Sequence, residues 1–278
     1  MKLSFTTLGC PNWDLDTILS KAVAYGYDAV DFRGYLGEMD IFKLPEFSSD
    51  LEKTKQKFKE ASLKVSCFSS SVRLFTNTDQ ELRNHLEELE QYGQLCKAFH
   101  TPYIRVFGGK IGDSSREAAL ETVTNNLHQM LPIAETYDVV LLLETHDDWT
   151  NCEYVEAVLN HVDSSHLQVL WDVHHPYRTV GENPELTWET LGEKITYTHW
   201  KDSYVKENTP RGYQLCLLGK GDIPLQQIYD LLQEKGYDGY YTLEWEKVWC
   251  PEIEEPEVAF EQYVNYMKQL AKKHEITK

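Results

Sequence analysis

No apolar run in these 278 residues approaches the roughly 18 needed to cross a bilayer. The opening stretch, Met1-Lys2-Leu3-Ser4-Phe5-Thr6-Thr7, holds an apolar patch too short for a secretory signal and reads as a strand. Basic residues are scarce: 27 Lys and Arg stand against 45 Asp and Glu, for a formal charge of −18. Such a chain repels polyphosphate backbones and anionic lipid, so nucleic acid and membrane surfaces are poor partners for it. None of the six cysteines (10, 67, 96, 152, 216 and 250) belongs to a Cys-x-x-Cys pair. A chain of this size buries roughly three quarters of its unfolded surface and needs no disulfide staple. The thiols are therefore expected to be reduced and the protein cytoplasmic. Low-complexity stretches and Gly/Ser linkers are also missing. After the first strand, Leu8-Gly9-Cys10-Pro11-Asn12-Trp13 carries no glycine-rich phosphate loop, which argues against an open nucleotide-binding sheet.

What the chain does have is a rhythm. Short β-branched and aromatic runs fall at 3–7, 29–33, 64–69, 103–107, 139–144, 167–172, 195–200 and 240–245. Between them lie amphipathic segments at 15–25, 50–62, 79–99, 115–136, 151–161, 225–235 and 256–273, with a weak helical pattern at 186–193. Thr78-Asp79 offers an N-cap, and Asp222-Ile223-Pro224 sets proline at a helix start. Gly26 and Gly236 close helices where a left-handed residue is needed. Val139-Val140-Leu141-Leu142-Leu143 is apolar throughout, as a parallel strand covered on both faces must be. Unbroken βα units predict an α/β fold: one (β/α)8 TIM barrel, a single domain over 1–278.

In that architecture the working groups gather where strands end. The fifth run ends Leu143-Glu144-Thr145-His146 and the sixth Trp171-Asp172-Val173-His174-His175. The seventh ends Thr198-His199-Trp200-Lys201-Asp202 and the eighth Leu243-Glu244-Trp245-Glu246. A lone Glu at a strand end is most simply a solvated loop residue, and a lone His beside Trp a packed histidine. Four such residues on consecutive strands are another matter. Unpaired buried carboxylates cost on the order of several kcal/mol each, so three converging on one rim need cations or protons. One divalent ion between Glu144, Asp172, His199 and Glu244 answers that need. The oxygen-rich set suits Mn²⁺, Mg²⁺, Co²⁺ or Zn²⁺, and the lack of thiolates argues against a structural zinc. Trp249, in the cluster 245–252 after the last strand, can stack on a sugar-like ring or else cover the helix ring. Gly219-Lys220-Gly221 reads as a turn shaping the barrel mouth.

These strand ends, together with Tyr103-Ile104-Arg105-Val106-Phe107-Gly108-Gly109 and Leu218-Gly219-Lys220-Gly221-Asp222-Ile223, resemble the xylose-isomerase-like barrel superfamily of sugar phosphate isomerases and epimerases. The match in order and spacing covers essentially the whole chain. The resemblance implies that Glu144, Asp172, His199 and Glu244 bind the metal, and that Glu144 and Glu244 face each other across the substrate as acid and base. It implies contacts to substrate oxygens for His175 and Lys201, and pocket positions for His146 and Arg105. Arg105 can equally be a rim salt bridge, and Lys201 can pair with its neighbour Asp202.

The expected activity is a metal-dependent isomerase or epimerase of a sugar, ketose or inosose. It would remove a proton beside a carbonyl and return one to the other face or the adjacent carbon, through an enediolate held by the ion. A lyase or dehydratase acting on a keto-sugar, inosose or 3-keto-glycoside can use the same site. An apurinic-type endonuclease is disfavoured by the charge, and by Ser69-Ser70 and Phe107-Gly108 where a multi-metal cluster would use histidines. The expected partner is a small carbohydrate without phosphate, since no Arg/Lys cluster or helix-terminal Gly loop serves one. A homo-oligomer is compatible with the sequence.

Overall fold

Parallel strands buried on both faces require crossovers that cover them, and each apolar run here is followed by a segment able to do so. The computed structural model describes residues 1–277; Lys278, the last residue of the span read as one domain, lies outside the described residues. The strands are β1 (Lys2–Thr6), β2 (Ala29–Phe32), β3 (Lys64–Arg73), β4 (Tyr103–Phe107), β5 (Val140–Glu144), β6 (Leu167–Asp172), β7 (Ile195–Trp200), β8 (Asp202–Val205), β9 (Tyr213–Cys216) and β10 (Tyr240–Leu243). β1 to β7 and β10 form a closed parallel barrel, sealed where Lys2–Phe5 of β1 run in register with Tyr240–Leu243 of β10. The fold is thus the (β/α)8 TIM barrel that the rhythm predicts.

The surrounding helices are α1 (Leu15–Tyr25), α2 (Leu51–Ala61), α3 (Asp79–Phe99), α4 (Arg116–Tyr137), α5 (Cys152–Val162), α6 (His175–Val180), α7 (Pro184–Leu191), α8 (Leu225–Glu234) and α9 (Pro256–Thr277). Their ends follow the local chemistry. Asp14 accepts from Thr17 N at the start of α1, and Gly26 takes a left-handed φ of 88° at its end. Thr78 caps α3 through Glu81 N. The weak pattern at 186–193 is a real helix, α7, started by Asn183 and a proline in its first turn. Two features were not expected: the short α6 directly after β6, and the antiparallel hairpin β8–β9, which lies outside the barrel sheet.

Packing leaves the functional end of the barrel open. One large core joins the outer faces of the strands to the helices. Inside the barrel, Cys67, Leu142, Leu170 and Tyr197 form a separate small cluster, flanked by Tyr103, Val140 and Tyr240. This plug packs the lumen below the strand ends. Among the described residues no helix is long and apolar enough to cross a membrane. All six cysteines are free.

Candidate active site

Glu144 and Asp172 are the last residues of β5 and β6, His199 is the fifth of six in β7, and Glu244 follows β10 directly. All four are buried. The structure draws them together: one ligand atom from each lies within 4.8 Å of the others. His199 Nδ1 stands 3.1 Å from Glu144 Oε1 and 3.4 Å from Glu244 Oε1. Asp172 is anchored by its other oxygen, since Oδ1 accepts from the backbone N–H groups of His174 at 2.9 Å and His175 at 3.1 Å. Its Oδ2 is thereby turned inward, 2.7 Å from Lys201 Nζ and 3.4 Å from His175 Nε2.

The cations beside these carboxylates are themselves buried. Arg105 reaches Glu144 Oε2 with Nε at 3.5 Å and lays its guanidinium 3.7 Å from the Phe107 ring centroid. The rim salt bridge and the pocket position are both realised for Arg105. Lys201 does not pair with Asp202; it meets Asp172, Glu244 and, at 3.1 Å, Glu246. Asp202 instead accepts from the backbone N–H groups of Gly219, Gly221 and Ile223 and pins the glycine loop, which is a structural turn. Among the described residues Lys201 lies beneath the cavity floor, not on its wall.

Electrostatics follow from this packing. Burial and the neighbouring Glu244 raise the Glu144 carboxyl, but Arg105 and His199 together outweigh them and bring it down to about 2. Asp172 is pushed up to about 6 by burial and by the neighbouring Glu244 and Glu144, against the pull of Lys201. Burial disfavours charge on His199, yet Glu244, Asp31 and Glu144 raise it well above the usual imidazole range. Burial and then Lys201 hold His175 well below that range, as a neutral ring.

Above the cluster opens a cavity of about 620 Å³. Glu244 surfaces in its floor, and Arg105, His146, His175 and Trp249 line it. His146 packs its ring on Phe107 and His175 at centroid distances of 4.8 and 4.7 Å. Trp249 is 53% exposed at the mouth.

Several residues of the site were missed. Asp31 contacts His199 from β2, Glu246 pairs with Lys201, and Arg33, Arg211 and Tyr213 line the cavity. Glu246 stands in the same strand end as Glu244, whereas Asp31 lies inside its run, two residues short of where it ends. Arg211 and Tyr213 come from the β8–β9 hairpin, for which no such signal exists.

The donor set suits a hard or borderline divalent ion: three carboxylates and one imidazole converge, and buried Glu144 Oε2 accepts no hydrogen bond. A closed parallel barrel with this cluster at the ends of β5, β6, β7 and β10 defines a class of protein. The chain belongs to the xylose isomerase-like TIM barrel family, whose model matches residues 19–270. An inosose isomerase from Halalkalibacterium halodurans is 26% identical over 231 residues, 79% of this chain and 78% of that protein. The IOLI protein, solved with a zinc atom bound, has a TM-score of 0.82 at 20% identity and covers 99% of both chains. The probable 3-DHS dehydratase AsbF from Bacillus anthracis has a TM-score of 0.79 at 18% identity, covering 96% of this chain and 99% of its own. At those identities the two structures speak for the fold.

Proposed function

We propose that the chain is an enzyme that isomerises or epimerises a sugar, ketose or inosose by moving a proton at the carbon beside a carbonyl. The observation that carries this reading is the convergence of two buried carboxylates, Glu144 and Glu244, on one imidazole nitrogen beneath a cavity of about 620 Å³. Glu144, Asp172, His199 and Glu244 would hold one divalent ion, Mn²⁺, Mg²⁺, Co²⁺ or Zn²⁺. Bound there, such an ion supplies Lewis acidity that makes the proton beside a carbonyl easier to remove.

The protein groups divide the remaining work. Glu144, ionised beside Arg105, would be the proton acceptor. Glu244, just past the end of β10 and open to the cavity, is placed to deliver one from another direction. Neutral His175 on the cavity wall can contact a substrate oxygen, with Arg105 and His146 beside it. Lys201 supports Glu244 and Asp172 from below, its charge balancing theirs. Trp249 offers an aromatic face to the C–H side of a ring. In this reading the barrel over 1–278 is one catalytic domain, and the free thiols fit a cytoplasmic enzyme. The inosose isomerase relative supports the substrate class.

A lyase shares the first step, and the fold shared with a dehydratase keeps that second reading in view. Turnover of candidate ketoses and inososes in D₂O tests both. The expected product has unchanged composition apart from deuterium beside the carbonyl. Glu144→Gln and Glu244→Gln should each slow exchange about 100-fold or more. Full conversion without solvent deuterium overturns the proton-transfer reading, and a product lighter by one water establishes the lyase.

A further inference from the structure

Asp31 lies wholly buried at the penultimate position of β2. Around the barrel, β1 and β10 separate β2 from β7, so this carboxylate meets His199 across the lumen. Its Oδ2 is 3.2 Å from His199 Nε2 and 3.1 Å from the Tyr197 hydroxyl, and its Oδ1 accepts from Ser69 Oγ at 2.7 Å.

A carboxylate offers acceptors only, so the hydrogens of all three partners point toward it. The direction then propagates. Tyr197 spends its proton on Asp31, so Ser66 Oγ, 2.8 Å away, must donate to Tyr197; Ser4 Oγ, at 2.7 Å, must donate to Ser66. Nothing in this chain can turn round to accept from Asp31. The ring of His199 is left with a hydrogen on Nε2 and with Nδ1 facing Glu144 and Glu244.

We propose that Asp31 is a positioning residue, which holds the Nε2 hydrogen of His199 so that Nδ1 is the nitrogen that gives up its proton and ligates when a divalent cation binds. Metal-ligating histidines commonly hand their second N–H to a carboxylate, which fixes the ring and raises its basicity as a ligand. The role rests on the cation-binding reading of Glu144, Asp172, His199 and Glu244 given above, and the test separates the two.

Zinc(II) titrated calorimetrically into wild type and Asp31→Asn supplies the first readout. The variant keeps the shape of the side chain but can present an amide N–H to Nε2. Its zinc affinity should fall about 10- to 100-fold. Nitrogen-15 spectra of histidine-labelled, zinc-loaded protein supply the second. Wild type should show His199 protonated at Nε2 and metal-bound at Nδ1, and the variant should lose that pattern. Wild-type affinity and an unchanged ring state in Asp31→Asn overturn the proposal, even if the variant melts earlier, because a purely structural carboxylate would behave that way. If wild type binds no zinc, the four-ligand reading fails and this one falls with it. Should Asp31→Asn not fold, the nitrogen-15 spectrum of zinc-loaded wild type decides alone: His199 protonated at Nε2 and bound through Nδ1 supports the role, and the reverse pattern overturns it.

Discussion

The ammonium of Lys201 is 1% exposed and sits among Asp172, Glu244 and Glu246. Removing it strands buried negative charge with fewer partners. Lys201→Met should destabilise the chelator-treated protein by about 3–5 kcal/mol in urea unfolding, and added divalent cation should recover part of that loss. The ligands themselves are checked by metal analysis: wild type should carry about one divalent ion per chain, and Asp172→Ala or His199→Ala should lose it. Legibility at this scale depended on contrast. Glu144, Asp172 and Glu244 each end an apolar run, and a carboxylate there stands out. Asp31 sits inside Ala29-Val30-Asp31-Phe32, where alternating polarity looks like an ordinary half-buried strand. Lys201 could not be assigned by adjacency to Asp202, because neighbouring residues on extended backbone point to opposite sides. Lys201 shares its side with His199, two residues earlier, and Asp202 turns away to the glycine loop.

That turn makes Asp202 the fastening point of the segment between β9 and α8. Its oxygens take N–H groups from Gly219 at 2.8 Å, Gly221 at 3.0 Å and Ile223 at 3.3 Å. Gly219 adopts a φ of 80°, and a Cβ on Gly221 would run into Asp202 and the Ser203 backbone, so the loop closes around this carboxylate only with glycine there. Asp202→Ala should cost about 2–4 kcal/mol of stability. Hydrogen exchange of the 219–223 amides should accelerate with little change in the barrel strands. Among the elements, α1 and α3 match their expected bounds to the residue because polar caps mark their ends. The β8–β9 hairpin was not legible: β8 begins one residue after β7, so Asp202-Ser203-Tyr204-Val205 reads as the tail of the previous strand. α7 is only Pro184–Leu191, too short to show a clear amphipathic period.

For the molecule as a whole, the thiols report whether the packing is as described. Cys10, Cys67, Cys96, Cys152 and Cys250 are buried, and Cys216 is half-buried on β9. Burial and nearby Asp202 push the Cys216 thiol up to about 12, so even this one should react slowly near neutral pH. A thiol-specific disulfide reagent should therefore modify Cys216 first and alone in the native protein, and all six cysteines after unfolding. Rapid reaction of several thiols in the folded state would contradict this core. The seam between β1 and β10 has a further consequence, for the order in which the protein comes into being. β1 emerges early and waits with an unpaired edge until β10, the last strand of the barrel, arrives to cover it. Glu244 is the very next residue, so the carboxylate that completes the cluster is carried in by the strand that completes the wall. A chain in which β10 is not yet docked lacks the fourth side of this cluster. Completion of the cluster is thus tied to completion of the ring.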